Sequence, residues 1–177
     1  MYYIQVVDDD EHVLSAVNRL LRAGLFHVDC FTDVHQAMLA WDQRRYHAII
    51  ADYKMPHVDG VSFLAKAKIR QPNASRIMLS GHLETQAMLT LINEIGLFRF
   101  ITKPWEATSF CIAVHDAVVH SNTAVAAEDL LISKQLSNEM ELERLEQQEP
   151  GITKVDFDVD GSINFPLGQF EAKRLDS

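Results

Sequence analysis

The sequence predicts a doubly wound α/β fold, built on a five-stranded parallel sheet, with a C-terminal helical and β-hairpin extension. Three observations predict it. Five short apolar runs of strand length alternate with five stretches of helical periodicity between residue 1 and about residue 121. Four of the five runs stop on a polar or charged side chain: Asp8/Asp9, Asp52, Ser80 and Lys103. In a parallel sheet with right-handed crossovers those stops share one edge, where such sheets bind ligands. Beyond the fifth run, the sequence from Glu106 to Glu149 holds neither Gly nor Pro, so the last helix has room to extend.

Taken in order, Tyr2 to Val7 is a short apolar strand that ends at Asp8-Asp9-Asp10-Glu11. Val13, Leu14, Val17, Leu20 and Leu21 recur at helical spacing, with Gly24 as the stop. Phe26 to Phe31 is a second strand, and Asp33 is placed to cap a helix bearing Val34, Ala37, Met38 and Trp41. Ala48 to Ala51 is an unbroken apolar run that ends on Asp52, as a strand buried on both faces would. Pro56 and Asp59-Gly60 punctuate a turn, and Phe63, Leu64 and Ala67 then mark a third helix, closed off before Pro72. Arg76 to Leu79 is a fourth strand running into Ser80-Gly81, and Leu83 to Ile95 a fourth helix. Phe98 to Thr102 is the fifth strand, ending on Lys103-Pro104-Trp105, and a fifth helix begins near Thr108.

The chain of 177 residues carries a formal charge of -9, unevenly spread. Residues 1–123 hold 11 Lys/Arg against 13 Asp/Glu, whereas residues 124–177 hold 5 against 12. An acidic tail repels phosphates, which argues against nucleic acid or an anionic membrane as a partner. Cys30 and Cys111 are the two cysteines, and their spacing suggests buried, unpaired thiols in a reducing compartment. With no transmembrane-length apolar run and no leader pattern, these features predict a cytoplasmic protein.

The strand ends carry the chemistry. Asp8, Asp9 and Asp52 crowded together raise one another's pKa unless a cation is present, and hard oxygen donors of this kind suit magnesium. Lys103 adds a fixed positive charge, and Ser80 a hydroxyl able to donate to a phosphoryl oxygen. A carboxylate nucleophile, a divalent ion and a lysine are the parts required for in-line phosphoryl transfer to Asp52. Taken singly, each part has an ordinary explanation: acids favour a first helical turn, and Asp59-Gly60 and Lys103-Pro104 suit loops. A carboxylate-nucleophile phosphatase is the competing class, but it needs a second general acid near the nucleophile, and Lys54 stands two residues after Asp52.

Val6-Val7-Asp8-Asp9, Asp52-Tyr53-Lys54-Met55-Pro56 with Asp59-Gly60, Leu79-Ser80-Gly81 and Ile101-Thr102-Lys103-Pro104 together resemble the receiver domain of two-component response regulators. The likeness covers residues 1–121 and implies a flavodoxin-like receiver fold. It implies Asp52 as phosphoacceptor; Asp8, Asp9, Asp52 and the backbone carbonyl of Lys54 as Mg2+ ligands; Ser80 as switch hydroxyl; and Lys103 as the site lysine. The switch aromatic falls on Phe100, which lacks the hydroxyl of the tyrosine often found there. Ile92-Asn93-Glu94 followed by Phe98-Arg99-Phe100-Ile101-Thr102-Lys103-Pro104-Trp105 is similar to receivers fused to HD-GYP phosphodiesterases and to those of hydrogenase-regulating transcription factors. The implied partners are a sensor histidine kinase or phosphotransfer protein and an unknown downstream protein target. A second copy is also implied, through the face of the fourth and fifth helices and the tail.

Residues 122–149 are expected to form an acidic amphipathic helix, either continuous with the fifth helix or broken at Ser121-Asn122-Thr123. Its apolar spacing is too irregular for a long coiled coil. Residues 150–177 read as a β-hairpin about Asp160-Gly161 followed by a frayed end. No His-Asp pair with a Gly-Tyr-Pro signature, P-loop or helix-turn-helix is recognisable there, so a non-enzymatic switch with output by protein contact is expected. The alternative is the receiver part of a transcriptional or cyclic-dinucleotide regulator whose effector is missing or unrecognised.

Overall fold

The computed structural model describes residues 1–22, 26–81, 95–148, 156–157 and 163–164. Five parallel strands, β1 (Tyr2–Val7), β2 (Phe26–Phe31), β3 (Ala48–Asp52), β4 (Ser75–Ser80) and β5 (Arg99–Thr102), lie side by side in the order β2-β1-β3-β4-β5. Helices α1 (Glu11–Leu21), α2 (Val34–Leu39), α3 (Gly60–Arg70) and the first turns of the long helix Ala107–Gln148 cover its faces. The predicted helix Leu83–Ile95 lies outside the described residues apart from Ile95, as does Gly24.

The period-2 alternation of a strand splits the apolar side chains into two cores. Val6, Ile50 and Leu79 point to one face, where α1 brings Leu14, Val17 and Leu21, and the long helix brings Phe110, Val114 and Val118. Their neighbours Val7, Ile49, Ala51 and Met78 point to the other, against Val34, Ala37 and Trp41 and, from α3, Phe63 and Leu64. Every residue of β3 is buried, as its unbroken apolar run requires. Local caps set the helix starts. Asp10 accepts the N–H of His12 (2.8 Å), Asp33 that of Gln36 (2.8 Å) and Asp59 that of Ser62 (2.7 Å). Glu106, fully exposed, accepts the N–H groups of Thr108 and Ser109, which hold its carboxyl down to about 2. Its cap therefore persists at ordinary pH and is lost only as pH falls through that value.

Two details differ from expectation. Strand β1 was read as apolar, yet Gln5 is fully buried in it. Its amide accepts from Trp41 Nε1 (2.7 Å) and donates to the Ala37 carbonyl (2.8 Å), so the polar group joins α2 and the turn after it to the sheet. Gln5→Leu leaves the indole N–H and the carbonyl without partners and is expected to cost about 1–3 kcal/mol. An unchanged or raised urea midpoint would contradict this. Cys30 and Cys111 are half-buried free thiols rather than buried ones, Cys30 because β2 is an edge strand.

The long helix passes without interruption through Ser121-Asn122-Thr123. Ser121 is buried, and Thr123 donates its hydroxyl to the His120 carbonyl (2.8 Å), so these weak helix formers are accommodated. The chain divides into two compact units, Met1–Glu128 and Asp129–Ser177. In the second, Asp156–Phe157 and Ile163–Asn164 pair antiparallel, and the turn expected at Asp160-Gly161 lies outside the described residues.

Candidate phosphoacceptor site

The strand order builds the site. From β1 the chain moves outward to β2 and then returns past β1 to β3, so the crossovers diverge between β1 and β3. At such a point the carboxyl ends of neighbouring strands leave a cleft. Val7 is in register with Ala51, which sets Asp8, the next residue, beside Asp52. Asp8 is fully buried; its N–H donates to the Phe31 carbonyl (3.2 Å) and its Oδ1 accepts the N–H of Asp10 (3.0 Å). Asp52 is 7% exposed, and its Oδ2 accepts the N–H of Lys54 (2.9 Å). Ser80 is buried at the end of β4, with its carbonyl accepting the N–H of Lys103 (2.8 Å).

From the far edge of the sheet, beyond β5, Lys103 reaches both carboxylates. Its Nζ lies 2.6 Å from Asp8 Oδ2 and 2.6 Å from Asp52 Oδ1. The peptide bond to Pro104 is cis. Burial works against the charged amine, but its hydrogen bonds to Asp52 and Asp8 and their charges outweigh it, so the Lys103 pKa is raised. Burial also raises the Asp8 carboxyl, and the hydrogen bonds from Lys103 and Asp10 offset this incompletely.

The structure thus brings Asp8, Asp52 and Lys103 into direct contact, with Ser80 at the end of the adjoining strand. Asp9 is exposed, and among the described residues no three His, Cys, Asp or Glu side chains are grouped closely enough to hold a metal. The donor set nevertheless fits a hard divalent cation: two buried carboxylates share one lysine, and Asp8 still carries uncompensated burial. Phe100 is partly buried against the α2–α3 core.

Two residues escaped the sequence reading. Gly60, taken as a turn residue, is the first residue of α3, and its N–H donates to the Tyr53 carbonyl (3.0 Å). A β-carbon there would overlap the Asp52 carbonyl oxygen and stand 2.9 Å from the Asp52 carbonyl carbon. A glycine directly after a capping Asp, where the helix conformation does not require it, was the available signal. The other is His57, held at φ 68° in the loop after Asp52, a left-handed conformation costing a non-glycine residue about 1–2 kcal/mol. Nothing in its sequence context marks it.

The comparisons agree with this geometry. HoxA, a hydrogenase transcriptional regulatory protein of Bradyrhizobium diazoefficiens, is 36% identical over 115 residues, 65% of this chain. The chain spans only 24% of the length of that relative. The transcriptional regulatory protein FixJ of the same organism is 25% identical over 126 residues, 71% of this chain and 61% of FixJ. Among solved structures, the signal receiver domain of an HD domain-containing protein from Pseudomonas fluorescens superposes with a TM-score of 0.67 at 26% identity, covering 71% of this chain and 92% of that one. The model of the response regulator receiver domain matches residues 4–115. With the β2-β1-β3-β4-β5 sheet and its acidic switch point, that match makes this chain a member of the response regulator receiver domain family.

Proposed function

We propose that this chain is a phosphorylation switch in which Asp52 accepts a phosphoryl group. Aspartyl phosphorylation and magnesium dependence are general features of the family. The observation that carries the assignment to Asp52 is the Lys103 amine shared at 2.6 Å between the buried Asp8 and Asp52 carboxylates. An Asp52 carboxylate oxygen forms a bond to phosphorus as the P–N bond of a phosphohistidine breaks, or the P–O bond to the acetate of acetyl phosphate. Asp8, Asp9, Asp52 and the Lys54 backbone carbonyl would hold Mg2+, which when bound neutralises charge on the phosphoryl oxygens. Lys103 and the Ser80 hydroxyl receive those oxygens on the protein side. The phosphodonor, a sensor histidine kinase or phosphotransfer protein, has an apolar groove of about 550 Å³ beside Lys103 to dock in, lined by His12, Val13, Ala16, Pro104 and Trp105.

The receiver is assigned to residues 1–121, the acidic helix to 122–149 and the hairpin and tail to 150–177. Output is by protein contact without enzymatic turnover. Ser80 and Phe100 relay the change to the face made by the predicted fourth helix, β5 and the start of the long helix, where a second copy would pair. Among the described residues no helix is long and apolar enough to cross a membrane, which accords with a cytoplasmic switch. The test is incubation with acetyl phosphate and Mg2+, followed by intact mass. Wild type is expected to gain one phosphoryl group and Asp52→Asn none; equal gain in both would end the assignment. The chain's coverage of 24% of HoxA favours a second reading, the receiver part of a longer transcriptional regulator. Salt-dependent DNA binding in a gel shift would support that reading over protein contact.

A further inference from the structure

We propose that the outer edge of β2 pairs antiparallel with the same edge of a second copy of this chain, making one sheet across both. Among the described residues β2 pairs with β1 alone. Ile4 lies in register with Val28, and the Asp8 N–H donates to the Phe31 carbonyl (3.2 Å). His27, Asp29 and Phe31 therefore aim their main-chain groups at β1, and Phe26, Val28 and Cys30 aim theirs outward. Edge strands are ordinarily blunted by lysine, proline or a bulge. Strand β2 holds neither Lys nor Pro, and its register with β1 runs unbroken from Phe26 to Phe31. The other edge strand, β5, is shorter, four residues, and begins on the exposed Arg99.

Charge selects the second copy and its register. With a two-fold axis at Val28, the outward N–H and C=O of Val28 meet those of its equal, and those of Phe26 meet those of Cys30. The closely spaced pair on each side of the axis is then His27 opposite Asp29, an imidazole against a carboxylate. An axis one residue later sets Asp29 against Asp29, and one residue earlier sets His27 against His27. The side chains are already placed for the first arrangement. Asp29 Oδ2 accepts from the Tyr46 hydroxyl (2.8 Å) and from Arg44 (2.7 Å), and its Oδ1 lies 3.1 Å from His27 Nε2. The His27 side chain is 43% exposed. Pairing joins two such His27-Asp29 couples into a quartet in which the groups alternate.

The other face of β2 is compatible with the same axis. Phe26, Val28 and Cys30 lie partly buried against the core under α1. Across the axis Val28 would meet Val28, and Phe26 would meet Cys30, so apolar groups face apolar groups. This edge is the opposite side of the sheet from β5. The pairing requires no phosphoryl group, so it stands or falls apart from the phosphoacceptor reading.

Sedimentation of the unphosphorylated full chain over a concentration series is the test. Wild type is expected to pass from monomer to dimer, and Val28→Pro to weaken that association at least ~10-fold. Proline there removes an outward N–H and leaves the bonds to β1 in place, which edge strands tolerate. His27→Glu, which sets like charges opposite each other, should weaken association similarly, and His27→Lys should retain it. If Val28→Pro lowers the melting temperature, the contrast between His27→Glu and His27→Lys decides. The register is read by crosslinking in a Cys30→Ser, Cys111→Ser background. Val28→Cys should form an intermolecular disulfide on mild oxidation and His27→Cys should not, because only position 28 faces its equal. A wild-type chain that stays monomeric up to ~1 mM would overturn the proposal. So would association that Val28→Pro and His27→Glu leave unchanged, or crosslinking of the His27→Cys variant in place of the Val28→Cys one.

Discussion

Gly60→Ala is expected to destabilise the protein by ~3 kcal/mol or more, at the upper end of what overpacking costs. The added methyl meets main chain, not a side chain that can turn away: the Asp52 carbonyl oxygen, the Asp52 carbonyl carbon at 2.9 Å and the Tyr53 Cα at 3.1 Å. Relief requires α3 to lift from β3 or the Asp52 peptide to rotate. The first opens the core around Phe63 and Leu64, and the second re-aims the Asp52 carboxylate. Stability and phosphorylation by acetyl phosphate should therefore fall together. Gly81→Ala is the matched control, since a β-carbon there meets nothing within 4 Å and its backbone is not left-handed, so its stability should be unchanged or slightly raised. Thermal melts and urea titrations of the two variants decide the matter, and a Gly60→Ala protein as stable as wild type would refute the close contact.

The second large effect concerns Lys103. Lys103→Ala leaves Asp8 and Asp52 buried beside each other with no cation between them. Breaking a fully buried pair costs about 3–5 kcal/mol; the Lys103 side chain is 24% exposed, so we expect about 2–3 kcal/mol near neutral pH. The pH dependence follows from the two shifts. The raised Lys103 pKa contributes stability that is present below its ordinary value and lost as pH rises through the folded one. The raised Asp8 pKa acts oppositely to a normal ion-paired carboxylate, because ionising it costs stability as pH climbs from its ordinary value to the raised one. Without Lys103 that carboxyl rises further. The penalty of Lys103→Ala should therefore shrink as the pH falls and the Asp8 carboxyl takes up its proton. Urea titrations near neutral pH and at about pH 4 provide the comparison. A penalty independent of pH would show that lost packing of the lysine stem, not charge, is responsible. Added Mg2+ should restore part of the stability at neutral pH if the acidic residues hold it, and no restoration would count against Asp8 and Asp52 as ligands.

The candidate site was legible wherever chemistry sat at the end of a local pattern. Asp52 terminates a run of four apolar residues, and Asp8, Ser80 and Lys103 each stand where an apolar run gives way. The two cores follow from the same alternation, since Ile49 and Ile50 have to face opposite sides of any strand that contains both. The antiparallel pairing of Asp156–Phe157 with Ile163–Asn164 was visible for a similar reason, because the alternation that predicts it is carried by near neighbours in the chain.

What the sequence by itself determined was the set of elements, their alternation and the side chains at their ends, all properties of near neighbours in the chain. The tertiary structure decided the order β2-β1-β3-β4-β5, which sets Asp8 against Asp52. It decided the reach of Lys103 across 95 positions to Asp8. It also decided the contact of Gly60 with the Asp52 backbone, and the burial of Gln5 against Trp41. The path of the long helix through Ser121-Asn122-Thr123 belongs with these. Propensity there favours a break only weakly, while Phe110, Val114 and Val118 on the same helix are packed on the sheet. In each case the deciding term is the approach of groups remote in the chain, whose free energy depends on how the elements pack.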